Sequence, residues 1–88
     1  MNSNSMITVT DRSIHRPTIY CDCLEEITYR KVKDKVGWLW EVQLEYNDPE
    51  MDIEYYILDN YDKERLDSAL SKHHDVKVTY LKEDAYAS

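Results

Sequence analysis

Trp38-Leu39-Trp40-Glu41-Val42-Gln43-Leu44-Glu45-Tyr46, then Asn47-Asp48-Pro49-Glu50, then Met51-Asp52-Ile53-Glu54-Tyr55-Tyr56-Ile57-Leu58, is the stretch that decides the fold. Trp38, Trp40, Val42, Leu44 and Tyr46 alternate with Leu39, Glu41, Gln43 and Glu45, the period-two pattern of a half-buried strand. The segment after the turn alternates as well, with Met51, Ile53, Tyr55 and Ile57 in one phase and Asp52, Glu54, Tyr56 and Leu58 in the other. A four-residue turn at 47–50 pairs Tyr46 with Met51, Leu44 with Ile53, Val42 with Tyr55 and Trp40 with Ile57. In that register Asp52 and Glu54 point away from the core. A slip of one residue would turn them inward, so the alternation is expected to fix the pairing.

Upstream, Glu26 to Val32 reads as a strand with Ile27 and Tyr29 on one face. Lys33-Asp34-Lys35-Val36-Gly37 holds the only glycine and makes a natural hairpin turn, because glycine reaches positive φ at little cost. Ile7, Val9 and Thr18–Cys21 are short β-prone pieces on either side of a turn-like stretch, Arg12–Pro17. Downstream, Asp59-Asn60 offers an N-cap for a helix over 61–73, with Tyr61, Leu66, Ala69, Leu70 and His73 on its buried face. Asp62 and Glu64 in the first turn and Lys72 in the last suit the helix dipole. Asp75 to Leu81 reads as a final strand with Val76, Val78 and Tyr80 on one face. Residues 1–5 and 83–88 read as tails, leaving a single small domain over 6–82.

The fold class that follows is α+β: mostly β, with one helix before the last strand. A small antiparallel meander closed into an OB-like or SH3-like barrel is the leading architecture. An open antiparallel sheet with the helix packed across it is the alternative.

With 88 residues, the chain has room for one thin core. It carries 18 acids against 11 bases, a net charge of −7, which disfavours nucleic acid and anionic membranes as partners. No apolar run approaches the roughly 20 residues of a membrane span, and the first residues lack a secretory pattern. Cys21 and Cys23, read as neighbours on one strand face, sit too far apart for an easy bridge, so a reduced, cytoplasmic chain is expected. Two cysteines with His15, His73 and His74 do not make a zinc-ligand spacing, and the cysteines read as small buried hydrophobes. There is no Gly-rich phosphate loop, no G-x-S-x-G and no other catalytic pattern. The expectation is a non-enzyme without cofactor or metal.

The charge is unevenly placed. Residues 47–62 hold six acids and no base, and no Lys or Arg lies between Val36 and Asp62. With the register above, Glu41, Glu45, Asp52 and Glu54 line one sheet face, and Asp48 and Glu50 extend the row around the turn. Tyr56 and Asp59 border it. Like charges opposite each other cost stability, and the fold gains nothing evident from them. Such a face aids solubility and blocks edge-to-edge aggregation. It also suits a basic partner, a nuclease or a nucleic-acid-binding complex, with carboxylates standing in for phosphates. Candidate contact residues are therefore Glu41, Glu45, Asp48, Glu50, Asp52, Glu54, Tyr56 and Asp59. In size and charge the chain is similar to phage-encoded inhibitors of host defence, the anti-CRISPR and anti-restriction proteins. Leu39 and Leu58, in the outward phase, would favour self-association or a partner on that face.

Arg30, Lys31, Lys33 and Lys35 form the one basic cluster where a phosphate backbone fits. An OB-like nucleic-acid-binding module, or an accessory subunit of a larger assembly, is the alternative function. Tyr and Trp on the inward phase otherwise supply a core in a chain that has no Phe.

Overall fold

A computed structural model describes residues 6–11, 15–35 and 37–83. The expected tail at 1–5, nearly all of that at 83–88, and the first half of the Arg12–Pro17 turn, 12–14, lie outside them. The elements, in order, are β1 (Met6–Thr8), β2 (Thr18–Tyr20), a 3-10 turn (Cys21–Cys23), β3 (Leu24–Lys33), β4 (Trp38–Tyr46), β5 (Glu54–Leu58), α1 (Asn60–Leu70) and β6 (Lys77–Tyr80). β1 and β2 form a two-stranded antiparallel ribbon. The other four make one sheet in the order β5-β4-β3-β6.

This sheet is open, and the OB-like or SH3-like barrel is not formed. β3, β4 and β5 are an antiparallel meander, whereas β6 joins the far edge parallel to β3. The helix therefore carries the chain from one edge, across β4 and β3, to the opposite edge. Leu66 and Leu70 of α1 are buried against the sheet face made by Ile27, Tyr29, Val42, Leu44, Tyr46 and Leu58. Val9, just after β1, and Ile19 of β2 enter the same core.

The β3–β4 hairpin forms as its sequence indicates. Asp34 and Gly37 exchange backbone hydrogen bonds of 2.9 and 3.2 Å, and Gly37 adopts φ +138°, which L-residues rarely reach. At the other end of β3 a bulge lies between Leu24 and Glu26. The extra residue, Glu25, lets Leu24 and Ile27 both face inward although they are three apart.

The β4–β5 register differs from the expected one by a single residue. Trp40 lies opposite Leu58, Val42 opposite Tyr56 and Leu44 opposite Glu54. β5 carries two interleaved apolar sets, so alternation alone does not choose between them. The helix start chooses. Asp59, the residue after β5, is the N-cap, and its side chain accepts from Asp62 N–H at 2.8 Å. That junction drives Leu58 into the core, fully buried, and not onto the outward face where it was expected. Ile53 and Tyr55 then face outward and are exposed. The connection to β5 lengthens to residues 47–53.

Other differences are local. Cys21 and Cys23 lie in a 3-10 turn, not on a strand; both are free, Cys21 buried and Cys23 half-buried. The helix ends at Leu70, short of residue 73, and the following turn is closed by His73 N–H donating to the Leu70 carbonyl. Tyr61 is 70% exposed and Asp62 is buried in its place. The Asp62 carboxylate accepts from Thr10 N–H at 2.8 Å and from Arg65 at 2.9 Å, and Arg65 also donates to the Thr8 carbonyl. Asp11 accepts from Ile57 N–H at 2.7 Å, so the N-terminal ribbon also caps the free edge of β5. In β6, Val78 and Tyr80 are largely exposed because the strand is an edge, although Val76 just before it is buried.

Candidate functional site

The shifted register redistributes the carboxylates. Glu41, on the open face, pairs with Arg30, Oε1 to Nε 3.6 Å. Glu54 turns inward and accepts from the Tyr46 hydroxyl at 3.3 Å. Tyr56 is half-buried against the core, and burial, reinforced by Glu54, pushes its phenol up to about 12. Asp59 is the helix cap. These four residues have structural employment, and no carboxylate row runs across β4 and β5. Glu45 faces Glu26 on β3, not Asp52, and that repulsion is eased by Thr79, whose hydroxyl donates to Glu26 at 3.0 Å.

What remains is an acidic end of the molecule. Asp48, Glu50 and Asp52 are exposed in the 47–53 connection, which is held by Met51 N–H donating to the Asp48 carbonyl and Glu50 N–H to the Asp48 carboxylate. Glu45, at the end of β4, is exposed beside them. Asn47 N–H donates to the Cys23 carbonyl at 2.8 Å, which brings the start of β3 to the same end and adds exposed Asp22 and Glu25. The same segment exposes Met51, Ile53 and Tyr55, the last at 63%. Sequence reasoning missed Asp22, Glu25 and this apolar trio. Alternation alone places the trio in the inward phase; the signal that reverses this is the N-cap immediately after Leu58.

The opposite end is basic and aromatic. β5 stops opposite Trp40 and β6 stops opposite Tyr29, so Lys31–Lys33 and Trp38–Leu39 continue as a two-stranded ribbon beyond both neighbours. Lys31 and Lys33 lie over the Trp38 ring, 5.3 and 5.7 Å from its centre. Lys31 also approaches Trp40.

Behind the ribbon the pattern continues inward. Lys63 Nζ lies 4.5 to 4.9 Å from the ring centres of Trp40, Tyr29 and Tyr80, and donates to Asp67 at 2.6 Å and to the Tyr80 hydroxyl at 2.7 Å. The Tyr29 hydroxyl donates to the other oxygen of Asp67 at 2.8 Å. Burial works against the Lys63 charge, but Asp67 and Tyr80 outweigh it and its pKa is raised. Burial above all, then Asp67, pushes the Tyr29 phenol far above its ordinary value.

Burial, helped by Asp22, raises the Cys21 thiol, so it is not a thiolate near neutrality. Among the described residues no group of three or more His, Cys, Asp or Glu is placed to hold a metal ion. No helix there is long and apolar enough to cross a membrane. Comparison with protein-family models, with curated proteins and with solved structures found no match.

Proposed function

We propose that this chain is a protein-binding protein that docks its acidic end, Glu45 to Tyr55, on a basic nucleic-acid-processing protein and inhibits it. The observation that carries the reading is the coincidence, in one segment, of exposed Met51, Ile53 and Tyr55 with exposed Asp48, Glu50 and Asp52. Carboxylates alone would serve solubility. An exposed methionine, isoleucine and tyrosine in their midst match the apolar centre and polar rim of a protein interface. The acids would steer encounter with a basic groove and occupy its phosphate positions, while Tyr55 supplies contact area. The inhibitory role and its anti-defence setting are the further steps of this proposal, supported by small size and strong negative charge.

The test is affinity capture from a host lysate at low salt with three proteins: the wild type, Glu50→Lys/Asp52→Lys and Tyr55→Ser. A basic nucleic-acid-processing protein retained by the wild type, lost by both variants and inhibited by the wild type when purified would support the reading. Equal retention by all three would place the contact elsewhere. Retention without inhibition would reduce the chain to an accessory subunit.

A further inference from the structure

We propose that the inner face of the 31–40 ribbon is a second site, one that takes a single-stranded nucleic acid, with a base stacked on Trp38 and the backbone held by Lys31, Lys33 and Lys35. The ribbon extends past both flanking strands, so no strand neighbours Trp38 on the side away from Lys33. Lys31 and Lys33 alternate along one strand, about 6.7 Å apart at the usual rise per residue. Both ammonium groups already rest on the indole of Trp38. A base arriving on that ring displaces a lysine whose charge is then free to meet the adjoining phosphate. The exchange trades a cation–π contact for a stacking contact and an ion pair, with little backbone rearrangement. Lys35 is exposed at the tip. The Asp34 carboxylate, the one acid in the turn, is directed back into it, accepting from Gly37 N–H at 3.3 Å.

The net charge of −7 does not forbid this. The exposed acids Asp22, Glu25, Glu45, Asp48, Glu50 and Asp52 gather at the opposite end of β3 and β4. From Glu25 to Lys33 is about 26 Å of strand. That is roughly three Debye lengths at physiological salt, so their repulsion is largely screened at the ribbon. Of the nearer acids, Glu41 lies on the other sheet face against Arg30, Asp59 is committed to the helix cap, and Asp67, on the inner face, is paired with Lys63. An acidic peptide would satisfy the lysines but offers no flat π-face to the indole. A duplex keeps its base faces stacked and out of reach. The alternation of ring and cation therefore favours an unpaired strand.

The test is Trp-fluorescence titration of the full chain with an oligothymidylate at low salt, repeated with a duplex of equal length and with polyglutamate. Expected are quenching by the single strand and a slope of log K against log salt near −2, that is, about −0.7 for each of three lysines. Trp38→Leu should weaken binding roughly 5- to 150-fold, the range for losing one stacked base. Lys31→Gln/Lys33→Gln should flatten the salt slope, with the far-UV circular dichroism and melting temperature of each variant confirming the fold. Lys33→Gln alone, at an exposed position, keeps the test open should the double variant misfold. Absence of quenching, equal affinity for duplex, or unchanged affinity in Trp38→Leu would overturn the site. Binding of polyglutamate as tight as that of the oligonucleotide would also overturn it and assign the ribbon to acidic protein segments.

Discussion

Replacing Lys63 by methionine isolates the interaction that ties four elements together. Lys63 belongs to α1, Tyr29 and Trp40 to the central strands, and Tyr80 to the edge strand that the helix crossover delivers. The methionine keeps most of the apolar stem and removes the charge. An ammonium group desolvated among aromatic rings is worth about 2 kcal/mol, and a hydrogen bond to a charged group about 1.5–3 kcal/mol. Two offsets apply. Removing the charge recovers its desolvation cost, and Asp67, whose side chain is 40% exposed against 11% for Lys63, rehydrates readily. The net destabilisation should be about 2 kcal/mol. A chain of this size is typically stable by roughly 4–13 kcal/mol, so this is a substantial fraction. The melting temperature should fall by about 8–16 °C. Urea unfolding followed by circular dichroism measures the loss. A cycle with Trp40→Leu measures the coupling, expected at about 0.5–1 kcal/mol. A loss below about 0.5 kcal/mol, with no coupling to Trp40, would mean that the rings merely surround the lysine and do not hold it.

Alkaline pH should unfold the protein steeply. Burial raises the phenols of Tyr29 and Tyr46 above their ordinary value of 10, so the stability they contribute is complete below pH 10 and is lost as pH rises through their folded-state values. Each adds about 1.4 kcal/mol per pH unit of decline above pH 10, and half-buried Tyr56 adds to the fall between pH 10 and about 12. Ultraviolet titration of tyrosinate should therefore show part of the eight tyrosines ionising only with unfolding; a smooth, non-cooperative titration of all of them would contradict this. Asp62→Ala should cost about 2–4 kcal/mol by stranding Thr10 N–H and freeing Arg65, and should release the N-terminal ribbon first, seen as early hydrogen exchange at Val9 and Ile19. Gly37→Ala should cost about 1 kcal/mol in thermal unfolding. The strain is in the backbone alone, since nothing lies within 4 Å of the added methyl group.

The parts of the fold legible in the sequence are those where local chemistry leaves one answer. β4 is fixed because all its apolar residues but Leu39 occupy a single phase, and the turn at Gly37 because one glycine sits between two strands. The helix start is fixed because Asp59 is followed by a first turn with Asp62. β5 was legible as a strand but not in phase, since Tyr56 and Leu58 compete with Ile53, Tyr55 and Ile57. Tertiary demand at the helix junction settles that competition. The parallel pairing of β6 is not encoded in its own residues at all. It follows from a helix that, leaving one edge of the sheet, has only the opposite edge left to complete.

The same one-residue shift moves the candidate site. Had Asp52 and Glu54 shared a face with Glu41 and Glu45, the protein would present a charged sheet, and repulsion across β4 and β5 would make its stability strongly salt-dependent. Instead Glu41 is paired, Glu54 serves Tyr46, Asp59 caps the helix, and exposed Asp22, Glu25, Glu45, Asp48, Glu50 and Asp52 gather at one end with Met51, Ile53 and Tyr55. Lys31, Lys33, Lys35 and Trp38 gather at the other end. The molecule is thereby polarised along β3 and β4, with unlike surfaces about 26 Å apart, roughly three Debye lengths at physiological salt. Salt should then act weakly on folding, where the Glu26–Glu45 pair is the one direct repulsion across the sheet, and strongly on binding at either end. Wild-type melting temperatures that climbed steeply with salt would require like charges still facing each other within the fold, and the register argument would fall with them.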